Sequence, residues 1–117
     1  MGLFNRKHRP AHIDPAEANR LSTQDGALLL DVREPGEWSA GHAPQATHMP
    51  LGALNADQLP RDRVVVAVCR SGSRSGMAAR RLRSAGVDAR NMSGGMNAWA
   101  AAGLPVVRDG GKAGSVA

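Results

Sequence analysis

Apolar and polar positions follow two rhythms along this chain. Val64-Val65-Val66-Ala67-Val68 is an unbroken, mostly β-branched run, the pattern of a strand buried on both faces. Ser73 to Ala85 instead follows the helical period: Ala78, Leu82 and Ala85 form an apolar stripe, and Arg80, Arg81 and Arg83 cover the rest. Gly86 suits the left-handed stop of such a helix. Leu28 to Val32 reads as an earlier strand and Val87 to Met92 as a later one. Ahead of the first strand, Asp14, Pro15 and Glu17 form a helix start with a capping box. Glu34 to Ala40 reads as a short helix opened by Pro35, and Asn97 to Ala102 as a last helix stopped by Gly103 and Pro105. His48-Met49 predicts a short strand closed by Pro50, and Leu51 to Leu59 a helix or irregular turn. Short strands alternating with helices predict an α/β domain with a mainly parallel sheet.

The two ends break this rhythm. Residues 1–10 read as a flexible basic lead and residues 109–117 as a flexible glycine-rich tail, leaving 11–108 as the domain. The 117 residues are 42% hydrophobic but only 3% aromatic, which predicts one domain with an aliphatic core. The longest apolar run is far shorter than the about 20 residues that span a bilayer. The basic N-terminus also lacks the apolar stretch of a secretory signal. These readings predict a soluble, cytoplasmic chain with no membrane partner. The net charge of +5 comes mostly from arginine, without interleaved aromatics or a nucleic-acid motif. A solvated basic surface, or a preference for small anions, accounts for it better than nucleic acid does. His8 and His12 have metal-like spacing, but Pro10 between them opposes a helix that would align them. No metal and no cofactor is expected.

The one cysteine excludes an internal disulfide. Its surroundings decide between an inert buried hydrophobe and a reactive thiol. Cys69-Arg70-Ser71-Gly72-Ser73-Arg74-Ser75 joins the strand around Val66 to the helix from Ser73, and ligands bind beyond strand C-termini in parallel sheets. A loop bending into a helix turns backbone N–H groups inward, and the helix N-terminus adds partial positive charge. Arg70 and Arg74 add full charge, Gly72 lets the backbone turn, and Ser71, Ser73 and Ser75 leave room and can donate hydrogen bonds. All of this favours a thiolate, lowering the cysteine pKa by roughly one to several units.

Four segments together resemble the single-domain rhodaneses. They are Leu30-Asp31-Val32-Arg33-Glu34-Pro35-Gly36-Glu37-Trp38, Gly41-His42-Ala43-Pro44, the Cys69 to Ser75 loop, and Gly94-Gly95-Met96-Asn97-Ala98-Trp99 with Ala102-Gly103-Leu104-Pro105-Val106. Gln45 and His48 depart from the pattern that usually follows Pro44. The resemblance implies a five-stranded, mainly parallel sheet flanked by helices. It also implies ping-pong sulfur transfer, in which Cys69 takes the outer sulfur of an anionic donor such as thiosulfate as a persulfide. A thiol, cyanide or a protein acceptor then removes it. In that scheme the loop N–H groups from Arg70 to Ser75 cradle the sulfur, Arg74 holds the donor, and Asp31 with Arg33 supports the loop. For that pair an ordinary salt bridge is an equal alternative. Gly94 and Gly95 read as a second loop bordering the pocket. Glu34 and Glu37 read as helix surface, Trp38 and Trp99 as core, and His42 as ordering a turn.

The phosphatases and arsenate reductases of this fold carry five residues between cysteine and arginine. Here four residues separate Cys69 from Arg74, a tighter loop suited to sulfur rather than a tetrahedral oxyanion. A sulfur carrier or regulatory module without free turnover is the first alternative to a sulfurtransferase, and a phosphatase or arsenate reductase of the same fold the second.

Overall fold

A computed structural model describes residues 10–117. The lead predicted over 1–10 lies outside the described residues except for Pro10, and so does His8. The described chain forms β1 (His12–Ile13), α1 (Pro15–Gln24), β2 (Leu28–Asp31), α2 (Pro35–Ala40), β3 (Thr47–His48), two 3-10 turns (Leu51–Ala53 and Ala56–Gln58), β4 (Val65–Val68), α3 (Ser73–Ser84), β5 (Ala89–Met92) and α4 (Gly95–Ala101). A two-strand ribbon of β6 (Val107–Arg108) and β7 (Lys112–Ala113) ends the chain. Five strands form one sheet in the order β1-β5-β4-β2-β3, and every pair in it is parallel.

The period of two along β4 divides the core. Val65, Ala67 and Cys69 pack with Leu30, Ala78, Ala79 and Leu82 under α3, while Val66 and Val68 pack with Leu29, Met92, Met96 and Trp99 on the other face. The β-branched run is therefore buried on both faces, as its sequence predicts. Helix α1 starts as its sequence requires, with Asp14 Oδ1 accepting the Glu17 N–H at 2.8 Å. No described helix is long and apolar enough to cross a membrane.

Three expectations change. The predicted last helix begins two residues earlier, at Gly95, because Gly94 serves as a left-handed N-cap with φ of 74°. Trp99 is fully buried and donates Nε1–H to Pro105 O, but Trp38 is not core: it is half-buried and stacks on His42, with ring centroids 3.6 Å apart, and on His48 at 4.8 Å. The glycine-rich tail expected to be loose is laid back on the body. The Gly114 N–H binds Val106 O, the Ser115 N–H binds Ala40 O, and Val116 packs on the Trp99 cluster. A side chain at Gly41 would collide with Ser115, so glycine serves close backbone approach here rather than looseness.

Candidate active site

The sheet register brings the site together. Asp31 pairs with Val68, and Ala67 pairs with Asn91, so the C-terminal ends of β2, β4 and β5 lie side by side around Cys69. Cys69 follows β4 directly and is only 1% exposed. Gly72, at φ of 102°, turns the chain into α3, and its N–H points back to Cys69 Sγ at 3.1 Å. Ser75, fully buried on the first turn of α3, places its hydroxyl oxygen 3.3 Å from the same sulfur. Burial pushes the Cys69 thiol up. The Ser75 hydroxyl and the N–H groups of Ser75, Gly72 and Ser71 outweigh it and hold the thiol below its ordinary value. The strongest of these stabilising neighbours are hydrogen-bond donors, which the loop was expected to supply together with arginine charge.

The second loop supports the first. Met96 N–H donates to Cys69 O at 2.8 Å and Asn97 N–H to Arg70 O at 3.0 Å. The N-terminus of α4 thus holds both carbonyls outward, away from the sulfur. Gly95, at φ of 58°, makes this contact possible, since a Cβ there would collide with those same two oxygens. The Gly94-Gly95 loop thus packs directly on the Cys69–Arg70 backbone.

Arg74 feels the charge of Cys69 and is also paired with a carboxylate. Both of its terminal nitrogens donate to the Glu37 carboxylate, at 2.7 and 2.8 Å, so its fork is already engaged. Glu37 also accepts the Glu34 N–H, closing a capping box on α2. Glu37 is therefore a link between α2 and α3 rather than plain helix surface. It was missed because residues 37 positions apart give no local signal. Arg70, Ser71 and Ser73 are all exposed along the loop.

Asp31 and Arg33 form a buried pair, 1% and 0% exposed, closed by a 2.8 Å contact. Arg33 Nη2 also donates to Gly41 O, and the His48 ring meets Arg33 O at 2.8 Å. The pair braces the β2–α2 segment that carries Glu37. Its reach to the Cys69 loop is indirect. His42 orders its turn as expected, its Nδ1 lying 2.9 Å from Trp38 O. Among the described residues, no group of three or more His, Cys, Asp or Glu is placed to hold a metal.

The Arg74 guanidinium holds the Glu37 carboxyl down to about 2, against an ordinary 4.5. A carboxyl depressed by folding contributes stability above its unfolded value and loses it as pH falls through the folded one. Glu37→Gln is expected to cost about 1 kcal/mol at neutral pH. The gap to the parent should close between pH 4.5 and about 2, in urea midpoints taken across that range. A gap independent of pH would show that the pair is not its source.

Residues 14–102 match the rhodanese-like domain family. A protein called sulfurtransferase from Allochromatium vinosum is 39% identical over 93 residues, which cover 77% of this chain and 87% of that one. An uncharacterised protein of Synechocystis is 43% identical over 99 residues; the match covers 82% of this chain but 55% of that longer protein. The crystal structure of a rhodanese-related protein from Thermoplasma volcanium superposes with a TM-score of 0.76 at 30% identity, over 82% of this chain and 96% of that one. Fold, site loop and sequence agree: the chain belongs to the rhodanese-like domain family.

Proposed function

We propose that this protein is a sulfurtransferase that moves a sulfane sulfur from a small anionic donor, such as thiosulfate, to a thiophilic acceptor through a persulfide on Cys69. The observation that carries this reading is the donor set around one sulfur: the Gly72 N–H, the Ser75 hydroxyl and inward-turned loop amides, behind carbonyls held outward by α4. Such a set stabilises an anion on sulfur before and after transfer. The Cys69 thiolate attacks the outer sulfur of thiosulfate. The S–S bond breaks, sulfite leaves with the electron pair, and Cys69 carries the outer sulfur. An acceptor thiolate or cyanide then attacks that sulfur, and the Cys69 thiolate is the leaving group.

Two further features support this reading. The loop is one residue tighter than that of the phosphatases of this fold, which suits a sulfur atom. The only cysteine cannot be resolved by a second thiol in the chain, so an external acceptor is required. Exposed Arg70 is the cation left to meet an anionic donor, since Arg74 is engaged by Glu37.

Treating the protein with thiosulfate should add one sulfur atom to the Cys69 peptide by mass spectrometry. Cyanide should then remove it, with stoichiometric thiocyanate and repeated turnover. A persulfide that forms but does not turn over would point to a carrier module. Hydrolysis of an aryl phosphate without any sulfur adduct would overturn the reading.

A further inference from the structure

The Ser75 hydroxyl has two partners and one hydrogen. Its oxygen lies 3.3 Å from Cys69 Sγ and 2.5 Å from Asn91 Oδ1. The Asn91 amide has little freedom to turn over. Its Nδ2 meets Gly72 O at 3.1 Å and the ring Nδ1 of His12, on edge strand β1, at 3.2 Å. A carbonyl oxygen accepts only a donor, so Nδ2 must face Gly72 and Oδ1 must face Ser75. Oδ1 is itself an acceptor, so in this arrangement Ser75 gives its hydrogen to Asn91. The Ser75 oxygen is then left to accept from a Cys69 S–H.

A thiolate reverses these demands. The sulfur then has no hydrogen and calls for a donor, and Ser75 is the side-chain hydroxyl within reach. When Ser75 turns to the sulfur, buried Asn91 Oδ1 loses its donor, which costs free energy. Resting on the reading of Cys69 as the nucleophile, we propose that Asn91 is a positioning residue. It holds the Ser75 hydroxyl hydrogen while Cys69 is a thiol or a persulfide, and yields it to Sγ when negative charge forms there. The thiol proton itself leaves to solvent; Ser75 keeps its own hydrogen and only rotates. Asn91 thereby restrains the thiolate. This keeps the sulfur more basic, and so more nucleophilic, than its donor set alone would leave it.

The charged and titratable groups near this network are Arg74 with its partner Glu37, Arg70 beside Cys69 in the chain, Arg80, whose Nη1 lies near Gly76 of α3 as Asn91 Nδ2 does, and His12 at the outer end. The variants that test the proposal leave all five in place. The readout is the pH dependence of Cys69 alkylation by iodoacetamide, which reports thiolate formation whether or not sulfur transfer is the function. Asn91→Leu removes the competing acceptor at similar volume. The midpoint should fall by about half a unit to one unit. In a Ser75→Ala background the same substitution should shift nothing, because the hydrogen it releases is absent. Asn91→Ala, which cannot overfill the site, should repeat the pattern if the leucine variant folds poorly. Gly72 O keeps its bond from Gly76 N–H in every case. An unchanged or raised midpoint would overturn the proposal, and so would an equal shift with and without Ser75. Normal midpoint shifts in a protein that takes no sulfur from any donor would leave it standing while removing the proposed function.

Discussion

Cys69→Ser should reduce thiocyanate formation from thiosulfate and cyanide to the rate without protein. The reason lies in charge. Among the described residues Cys69 is the only thiol, and its sulfur is held below its ordinary pKa by four donor groups. A serine hydroxyl at the same point would meet the same donors, yet they cannot bring an alcohol near ionisation at neutral pH, nor would its oxygen form the S–S bond that the cycle needs. The fold should survive, since Cys69 packs as one member of a large aliphatic cluster and the hydroxyl is smaller than the thiol. Thermal melting therefore separates loss of chemistry from loss of structure. The rate of the parent should rise with pH about a midpoint below the ordinary cysteine value, because the depressed pKa brings the thiolate in at lower pH. Measurable turnover by a well-folded serine variant would remove Cys69 from the mechanism.

How much of this was legible beforehand depends on distance along the chain. The β-branched run and the amphipathic helix after it placed Cys69 at a strand end, because both patterns are local. The Gly72 turn, the Asp14 cap and the Gly94-Gly95 loop were legible for the same reason. Contacts made by strand register or between helices were not. Asn91 sits in a four-residue strand whose members are all buried, and nothing in Ala89-Arg90-Asn91-Met92 announces a partner on α3. Glu37 meets Arg74 only once α2 and α3 have docked, and that contact engages the Arg74 fork. Trp38 read as core because tryptophan is usually buried; the two histidines it stacks on come from a turn and from β3. The tail read as loose from its glycines, whereas two of the approaches it makes need glycine for lack of a Cβ. In each case the missing information was tertiary.

Gly95→Ala should lower kcat by about a hundredfold or more, and the contrast with Gly103→Ala shows why. Both glycines hold left-handed backbone, with φ of 58° and 76°, so each substitution carries the same kind of backbone strain, about 1–2 kcal/mol. Their surroundings differ. Nothing lies within 4 Å of a Cβ built on Gly103, whereas one on Gly95 would strike the carbonyl oxygens of Cys69 and Arg70. Those are backbone atoms and cannot swing aside as a flexible side chain would. Relief requires α4 to retreat, which breaks the bonds from Met96 and Asn97 and frees both carbonyls to rotate toward the sulfur. A carbonyl facing Sγ opposes a thiolate, and the amides beside it turn out as it turns in. Gly95→Ala should therefore raise the pH midpoint of Cys69 alkylation as well as slow transfer. Gly103→Ala should lower the melting temperature while leaving both measurements near the parent. If the two variants lost activity equally, backbone strain alone would explain them, and the docking of α4 onto the Cys69 loop would have no part in holding the site open for sulfur.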